Sequence, residues 1–218
     1  MPTYSFTNFL IGGDHSIPIG TIPGIMKMRP NTGIVWVDAH ADINTPNTSS
    51  SGNMHGMPVG FLLGLYNHLQ LPSFQWFKPC LKPSDIVYIG LRDLDAPEKV
   101  AIKKLGIKAY TMYDIDRLGI NKVMEEVIEY HKDRESIHLS YDIDAIDPIY
   151  APHTGTTVRG GLTFREGNYV CEALAATGKL KSMELVEVNP SLSPELDSKV
   201  TIDMSLTLIG SAMGSTIL

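Results

Sequence analysis

Ile34-Val35-Trp36-Val37-Asp38-Ala39-His40-Ala41-Asp42 governs how this chain folds. Its first half is a continuous apolar run. A strand with one wet face alternates apolar and polar residues, whereas a strand covered by helices on both faces does not. Its second half turns abruptly to carboxylates and imidazole. In open α/β sheets, ligand sites form just beyond the carboxyl ends of strands. Asp38 and His40 are two apart and point the same way while strand geometry persists, and Asp42 can join them from the loop.

On either side of this stretch the same pattern recurs. Strands are predicted at Thr7 to Ile11, Gly33 to Val37, Ile86 to Ile89, Ile107 to Tyr110, Ile137 to Tyr141 and Met183 to Val188. Helices are predicted between them at Ser16 to Met28, Pro58 to His68, Pro97 to Leu105, Ile120 to Lys132, Thr163 to Ala176 and Leu196 to Met213. Such alternation implies an α/β fold with three layers, α/β/α, around a mostly parallel central sheet. A chain of 218 residues is long enough to bury a large core as one domain, taken here as residues 1–218. Ser49-Ser50-Ser51-Gly52 lies between two motifs and reads as a site loop rather than a linker.

Composition narrows the function. The net charge of −6, with no basic run, disfavours nucleic acid and anionic membrane surfaces as partners. No apolar run is long enough to span a bilayer. The two cysteines, Cys80 and Cys171, make no Cys-x-x-Cys pair, which argues against a thiolate metal site. A reducing, cytoplasmic compartment fits that usage.

A second chemical motif, Ser140-Tyr141-Asp142-Ile143-Asp144, also ends a strand, and Asp142 and Asp144 share one side. A third, Gly12-Gly13-Asp14-His15-Ser16, is a strand-to-helix turn that offers His15, with Asp14 orienting the turn. A lone Asp-x-Asp usually caps a helix or sits in water. Three acidic or imidazole segments at strand ends are a different matter. Four aspartates at neighbouring strand ends repel unless cations compensate, and two divalent cations balance four carboxylates. With carboxylates dominant and thiolates absent, manganese or a similar ion is favoured over structural zinc. Paired ions lower the pKa of a bridging water, so the expected reaction class is metal-assisted hydrolysis. His68, His131 and His153 read as solvated or locally hydrogen-bonded, and His138 as structural.

These three segments resemble the signature segments of the ureohydrolase family. Within it, Asp42-Ile43-Asn44-Thr45-Pro46, Ser51-Gly52-Asn53-Met54-His55-Gly56, Gly90-Leu91-Arg92-Asp93-Leu94-Asp95 and Glu187-Val188-Asn189-Pro190-Ser191-Leu192 are similar to arginases more than to agmatinases. The resemblance runs from about Leu10 almost to the end. It implies the arginase/deacetylase-like fold and a cofactor of two Mn2+ ions held by His15, Asp38, His40, Asp42, Asp142 and Asp144. It implies attack of a metal-bridging hydroxide on the guanidinium carbon of L-arginine, giving ornithine and urea. By that resemblance His55 is a proton shuttle, Glu187 pairs with the guanidinium group and Asp42 belongs to the catalytic set. Asn44, Ser49, Ser51 and Asn53 belong to the loop that holds the α-carboxylate. Asp95, assisted by Glu98, holds the α-ammonium, and Thr156 lies near the guanidinium end. Arg165 and Glu166 match a pair used at a homotrimer interface.

Departures accompany the resemblance. Family members begin several dozen residues earlier and end in a tail that wraps neighbouring subunits. The first strand or strands of the fold are therefore expected to be missing, and a mitochondrial address on such a segment is an alternative to the cytoplasm. His153, Thr157 and Arg159 stand where arginases carry small or apolar residues, and Met57 where they often carry glutamine. Two alternative readings stay open. One is an amidinohydrolase acting on agmatine or another guanidino compound. The other is an arginase-fold chain without turnover.

Overall fold

The computed structural model describes residues 8–192 and 198–215. Six strands, β1 (Asn8–Ile11), β2 (Thr32–Val37), β3 (Ile86–Leu91), β4 (Lys108–Thr111), β5 (Ser136–Asp142) and β6 (Leu180–Val186), form one sheet in the order β1-β6-β5-β2-β3-β4. Every pairing is parallel. The helices are α1 (Pro18–Met28), α2 (Pro58–Leu62), α3 (Ala96–Leu105), α4 (Met112–Leu118), α5 (Ile120–Tyr130), α6 (Phe164–Ala176) and α7 (Ser198–Ala212).

The apolar runs behave as their composition requires. Every residue of β2 and of β3 is buried. Along β2, Val35 and Val37 face one cluster, filled from the helices by Val123, Val127, Val170, Leu174 and Leu208. Ile34 and Trp36 face the other, filled by Ile19, Ile22, Val59 and Phe61. The sheet thus has α4 to α7 on one face and α1 to α3 on the other, which is the three-layer arrangement expected.

Two boundaries and one additional helix show where local chemistry departs from the sequence pattern. The helix predicted over Pro58 to His68 stops at Leu62. Gly64 takes a left-handed φ of 69°, and the N–H groups of Gly64 and Leu65 turn back to the carbonyls of Phe61 and Gly60. This is a glycine-terminated helix end. Helix α4 was not foreseen, although Thr111 and Asp114 cap each other's backbone N–H groups at its start. The strand predicted over Met183 to Val188 ends at Val186, because Glu187 leaves it with a φ of 63°. Thr7 and the predicted helix start at Leu196 and Asp197 lie outside the described residues.

Strand register gathers the chemical motifs at one edge of the sheet. Val37 pairs with Tyr141 across β2 and β5, so Asp38 and Asp142 leave the sheet at one level. Asp142 pairs with Val186, which brings Glu187 to the same edge. Ile11 pairs with Leu185, which delivers the Gly12-Gly13 turn and His15 beside them.

Candidate functional site

At that edge the six candidate donors converge. His15 Nδ1 lies 3.0 Å from Asp38 Oδ2, 3.1 Å from Asp42 Oδ2 and 3.1 Å from Asp142 Oδ2. His40 Nδ1 lies 3.1 Å from Asp144 Oδ2 and 3.4 Å from Asp38 Oδ1. Two triplets result, His15–Asp38–Asp142 and Asp38–His40–Asp144, each with its ligand atoms within 4.8 Å of one another. Asp38 belongs to both.

The local fold that aims these groups is specific. Asp38 Oδ1 accepts the His40 N–H at 2.7 Å, and Asp142 Oδ1 accepts the Asp144 N–H at 2.8 Å. Each pair therefore closes a short turn at its strand end. Asp42 reaches back to His15 from a left-handed backbone, with a φ of 50°. Asp42 and Glu187 are the two non-glycine residues with positive φ among the described residues, and both face this site. Strain of that kind persists only where surrounding contacts hold it. For Asp42 those are the Val59 N–H on its carbonyl at 2.9 Å and the approach of α2, whose Gly60 has no room for a Cβ, as one would sit 2.2 Å from the Asn44 carbonyl oxygen.

The donor set fits divalent cations. His15 Nδ1 is buried amid three carboxylates yet has no aligned hydrogen-bond partner. Burial and the charge of Asp38 push the Asp42 carboxyl well above its ordinary pKa. Burial, with Asp144 and Asp38 beside it, does the same to Asp142. Asp144 is also raised, by burial and Asp38. Asp38 alone among the four is held low: burial opposes this, but His15 and His40 outweigh it. Although burial opposes it, His40 is pushed up to about 12 by Asp144 and Asp38. Four carboxylates converging in this way call for compensating positive charge, which divalent cations supply.

Around the donors lies a cavity of about 170 Å3, whose wall includes Asn44, Ser49, Ser51, His55, Asp95 and Thr156. Glu187 also lines it. Glu187 Oε1 accepts the His15 N–H at 2.8 Å and sits 3.6 Å from His55 Nδ1. Burial raises the Glu187 pKa. Thr156 Oγ1 donates to Asp144 Oδ2 at 2.9 Å. Asn44 Nδ2 donates to Asp95 Oδ2 at 3.0 Å. Ser49 and Ser51 Oγ stand 3.4 Å apart and accept the N–H groups of Gly52 and Asn53. Glu98 also lines the cavity, but both its oxygens take backbone N–H groups, those of Ile43 and Asp95. Asn53 is exposed at the start of a 3-10 turn and is not among the lining residues. Arg165 and Glu166 lie apart from the site: Arg165 makes a two-pronged pair with Glu172, and Glu166 caps α6 at Thr163.

Several residues around the donors carried no assigned role on sequence grounds. Trp36 Nε1 donates to Asp38 Oδ2 at 3.0 Å, and its ring stacks on His15 at 4.0 Å. Asp93 faces His40 Nε2 at 3.8 Å. Ser140 Oγ meets His15 Nε2 at 2.9 Å. Trp36 and Ser140 each stand two residues before a donor aspartate, so the strand period was the available signal. His138 is buried against Ser182 and Glu184, in keeping with a structural role. His131 and His153 are also buried and bond to the carbonyls of Ile34 and Asn189. Asp14 takes the Ser16 N–H and hydroxyl, orienting its turn as expected.

Comparisons with known proteins point one way. The model of the arginase family matches residues 5–214. The arginase of Glaciozyma antarctica is 51% identical over 212 residues, covering 95% of this chain and 61% of that protein. The protein named "Arginase-2, mitochondrial" of Bos taurus is 53% identical over 211 residues, covering 94% and 60%. The crystal structure of arginase from Bacillus subtilis matches with a TM-score of 0.89 at 44% identity, covering 96% of this chain and 73% of that one. This chain spans about three fifths of the length of those two curated relatives.

Proposed function

The chain belongs to the arginase family, and from that premise we propose that it hydrolyses L-arginine to L-ornithine and urea with two manganese ions as cofactor. The observation that carries this reading is one cavity that joins the six-donor cluster to Glu187 and His55. His15, Asp38, Asp42 and Asp142 would hold one ion, and Asp38, His40 and Asp144 the other. Bound divalent ions supply a nucleophile from water near neutral pH.

The chain's own residues do the rest. The left-handed turn at Glu187 swings its carboxylate into the cavity, and the His15 N–H tethers one oxygen there. A planar guanidinium pairs well with a carboxylate so placed. His55 is about a third exposed and stands beside Glu187, which suits an imidazole carrying a proton between solvent and the leaving amine. At the far end, the hydroxyls of Ser49 and Ser51 and the amide of Asn44 suit an α-carboxylate, with Asn53 next to them in the same loop. Asp95, braced by Asn44 and by Glu98, suits an α-ammonium. Thr156 anchors Asp144 near the guanidinium end. The compartment proposed is the cytoplasm, on the strength of two free thiols, Cys80 and Cys171. No described helix is long and apolar enough to cross a membrane. Self-association through the exposed Arg165 face completes the reading and is checked by light scattering.

The test is urea release by the purified chain at a series of manganese concentrations, with L-arginine and with agmatine. Arginine is the expected better substrate by kcat/KM. No urea at any manganese level overturns the reading. Preference for agmatine, which lacks the carboxylate, removes the role given to Asn44, Ser49 and Ser51.

A further inference from the structure

Behind the donor cluster, on the sheet face covered by α1, lies a buried polar chain that the proposed reaction does not use. His15 Nε2 meets Ser140 Oγ at 2.9 Å. Ser140 Oγ donates to Glu184 Oε1 at 2.8 Å. Thr21 Oγ1 donates to Glu184 Oε2 at 2.6 Å, and His138 Nε2 stands 3.1 Å from Oε1. Glu184 is 0% exposed, and no Lys or Arg pairs with it among the described residues. Burial alone would raise its pKa, but His138 and the Thr21 hydroxyl outweigh burial and lower it. An ionised carboxylate at this place accepts only.

The hydroxyls of Thr21 and Ser140 both point at this carboxylate, and that geometry sets the direction of the whole chain. The single hydroxyl hydrogen of Ser140 goes to Glu184. The Ser140 oxygen can then only accept from His15, so the His15 proton on that side sits on Nε2. In the neutral ring that a bound cation requires, Nδ1, the atom aimed at Asp38, Asp42 and Asp142, keeps its lone pair toward the cation position. We propose that Glu184 is a positioning residue that, through Ser140, sets the tautomer of His15 and so makes His15 able to bind a cation. The β5–β6 register builds the contact, since Ser140 and Glu184 are paired across those strands. The inference rests on His15 being a ligand in the proposed function, but it does not need the substrate to be arginine.

Two variants separate the acceptor from the charge. In Glu184→Gln an amide oxygen can still face Ser140, with the amide nitrogen toward Thr21. In Glu184→Leu the Ser140 hydroxyl loses its acceptor and is free to turn and donate to His15 Nε2, which places the proton on Nδ1. The measurements are manganese affinity and, with zinc as a diamagnetic probe, the ring-nitrogen NMR shifts of His15. E184L is expected to lose about 10- to 100-fold in affinity for one of two ions, the range for outer partners of metal-bound histidines. E184Q is expected to keep Nε2–H and to lose far less. The wild-type spectrum needs no variant: a His15 proton on Nδ1 in the zinc-loaded chain overturns the proposal, even if E184L does not fold. So does an E184Q chain as weak as E184L, because charge rather than acceptance would then hold Ser140. Wild-type chain that retains two ions and the Nε2–H tautomer but releases no urea sinks the proposed function and leaves this inference standing.

Discussion

His15 and His40 hold equivalent places in the two donor triplets, yet their surroundings differ. His15 is 1% exposed, stacked on Trp36, and bonded through its outer nitrogen to Ser140 inside the core. The His40 side chain is 23% exposed, and its outer nitrogen faces Asp93, whose side chain is 65% exposed. One half of the centre is held by contacts that water cannot replace. The other half is held by its strand-end turn and by a carboxylate that water can replace. Fixed positions come from the core, and access comes from the rim.

Removing what the halves share has the largest consequence. Asp38 contributes to both triplets and also receives the Trp36 indole and the His40 N–H. Asp38→Ala is expected to abolish both cation sites, with an affinity loss beyond the roughly 10- to 100-fold that outer partners cost. Asp144→Ala, which touches only the His40 triplet, is expected to leave one ion bound. Native mass spectrometry with manganese reads the stoichiometry directly. Two ions retained by Asp38→Ala would end the description of Asp38 as the common donor.

Next in size is the response of the bare chain to pH. A group whose folded pKa is raised stabilises the fold below its unfolded pKa, and that contribution is lost as pH rises through the folded value. Asp42, Asp142 and Asp144 have this sign, with unfolded values near about 4. His15 and His40 share it, with losses starting above about 6.5, and that of His40 extends to about 12. Asp38, held low, has the opposite sign, but its change is complete once the pH passes about 4. Chelator-treated chain is therefore expected to melt lower at pH 9 than at pH 6. A fall of at least about 2–4 °C corresponds to about 1 kcal/mol in a chain of this size. Excess manganese replaces the protons and flattens the trend. A melting temperature that rises between those pH values in the bare chain contradicts the electrostatics given for the cluster.

How much of this was legible in the sequence depends on how local each feature is. The run Ile34 to Val37 announced a doubly covered strand, and the i, i+2 spacing of Asp38 with His40 and of Asp142 with Asp144 survives as two short turns. Met183 to Val188 reads as one strand, which would put Glu187 inside it. Its left-handed turn is imposed by the Gly13 carbonyl and the His15 N–H, which lie far away in the chain. The contact from Ser140 to Glu184 was invisible for a related reason. Both residues alternate correctly within their strands, but only the β5–β6 register says that they meet. Glu98 shows the converse: only the family resemblance singled it out, as a helper of Asp95, and no local pattern announced that its two oxygens take the N–H groups of Ile43 and of Asp95 itself.

The weakest effect is expected at the rim. Asp93 reaches His40 at 3.8 Å, too long for a direct hydrogen bond, and its side chain is largely in water. Exposed pairs of this kind contribute about 0.2–1 kcal/mol. Asp93→Asn is therefore expected to weaken manganese by no more than about fivefold, given that 1.4 kcal/mol is tenfold in an equilibrium constant. Trp36→Phe is the matched change on the core side. It keeps a ring to stack on His15 but removes the hydrogen bond to buried Asp38, and a bond to a charged group contributes about 1.5–3 kcal/mol. Titrating both variants with manganese compares the halves directly. If Asp93→Asn costs as much as Trp36→Phe, the rim carboxylate holds its donor as firmly as the core indole holds Asp38, and the contrast drawn between core and rim is wrong.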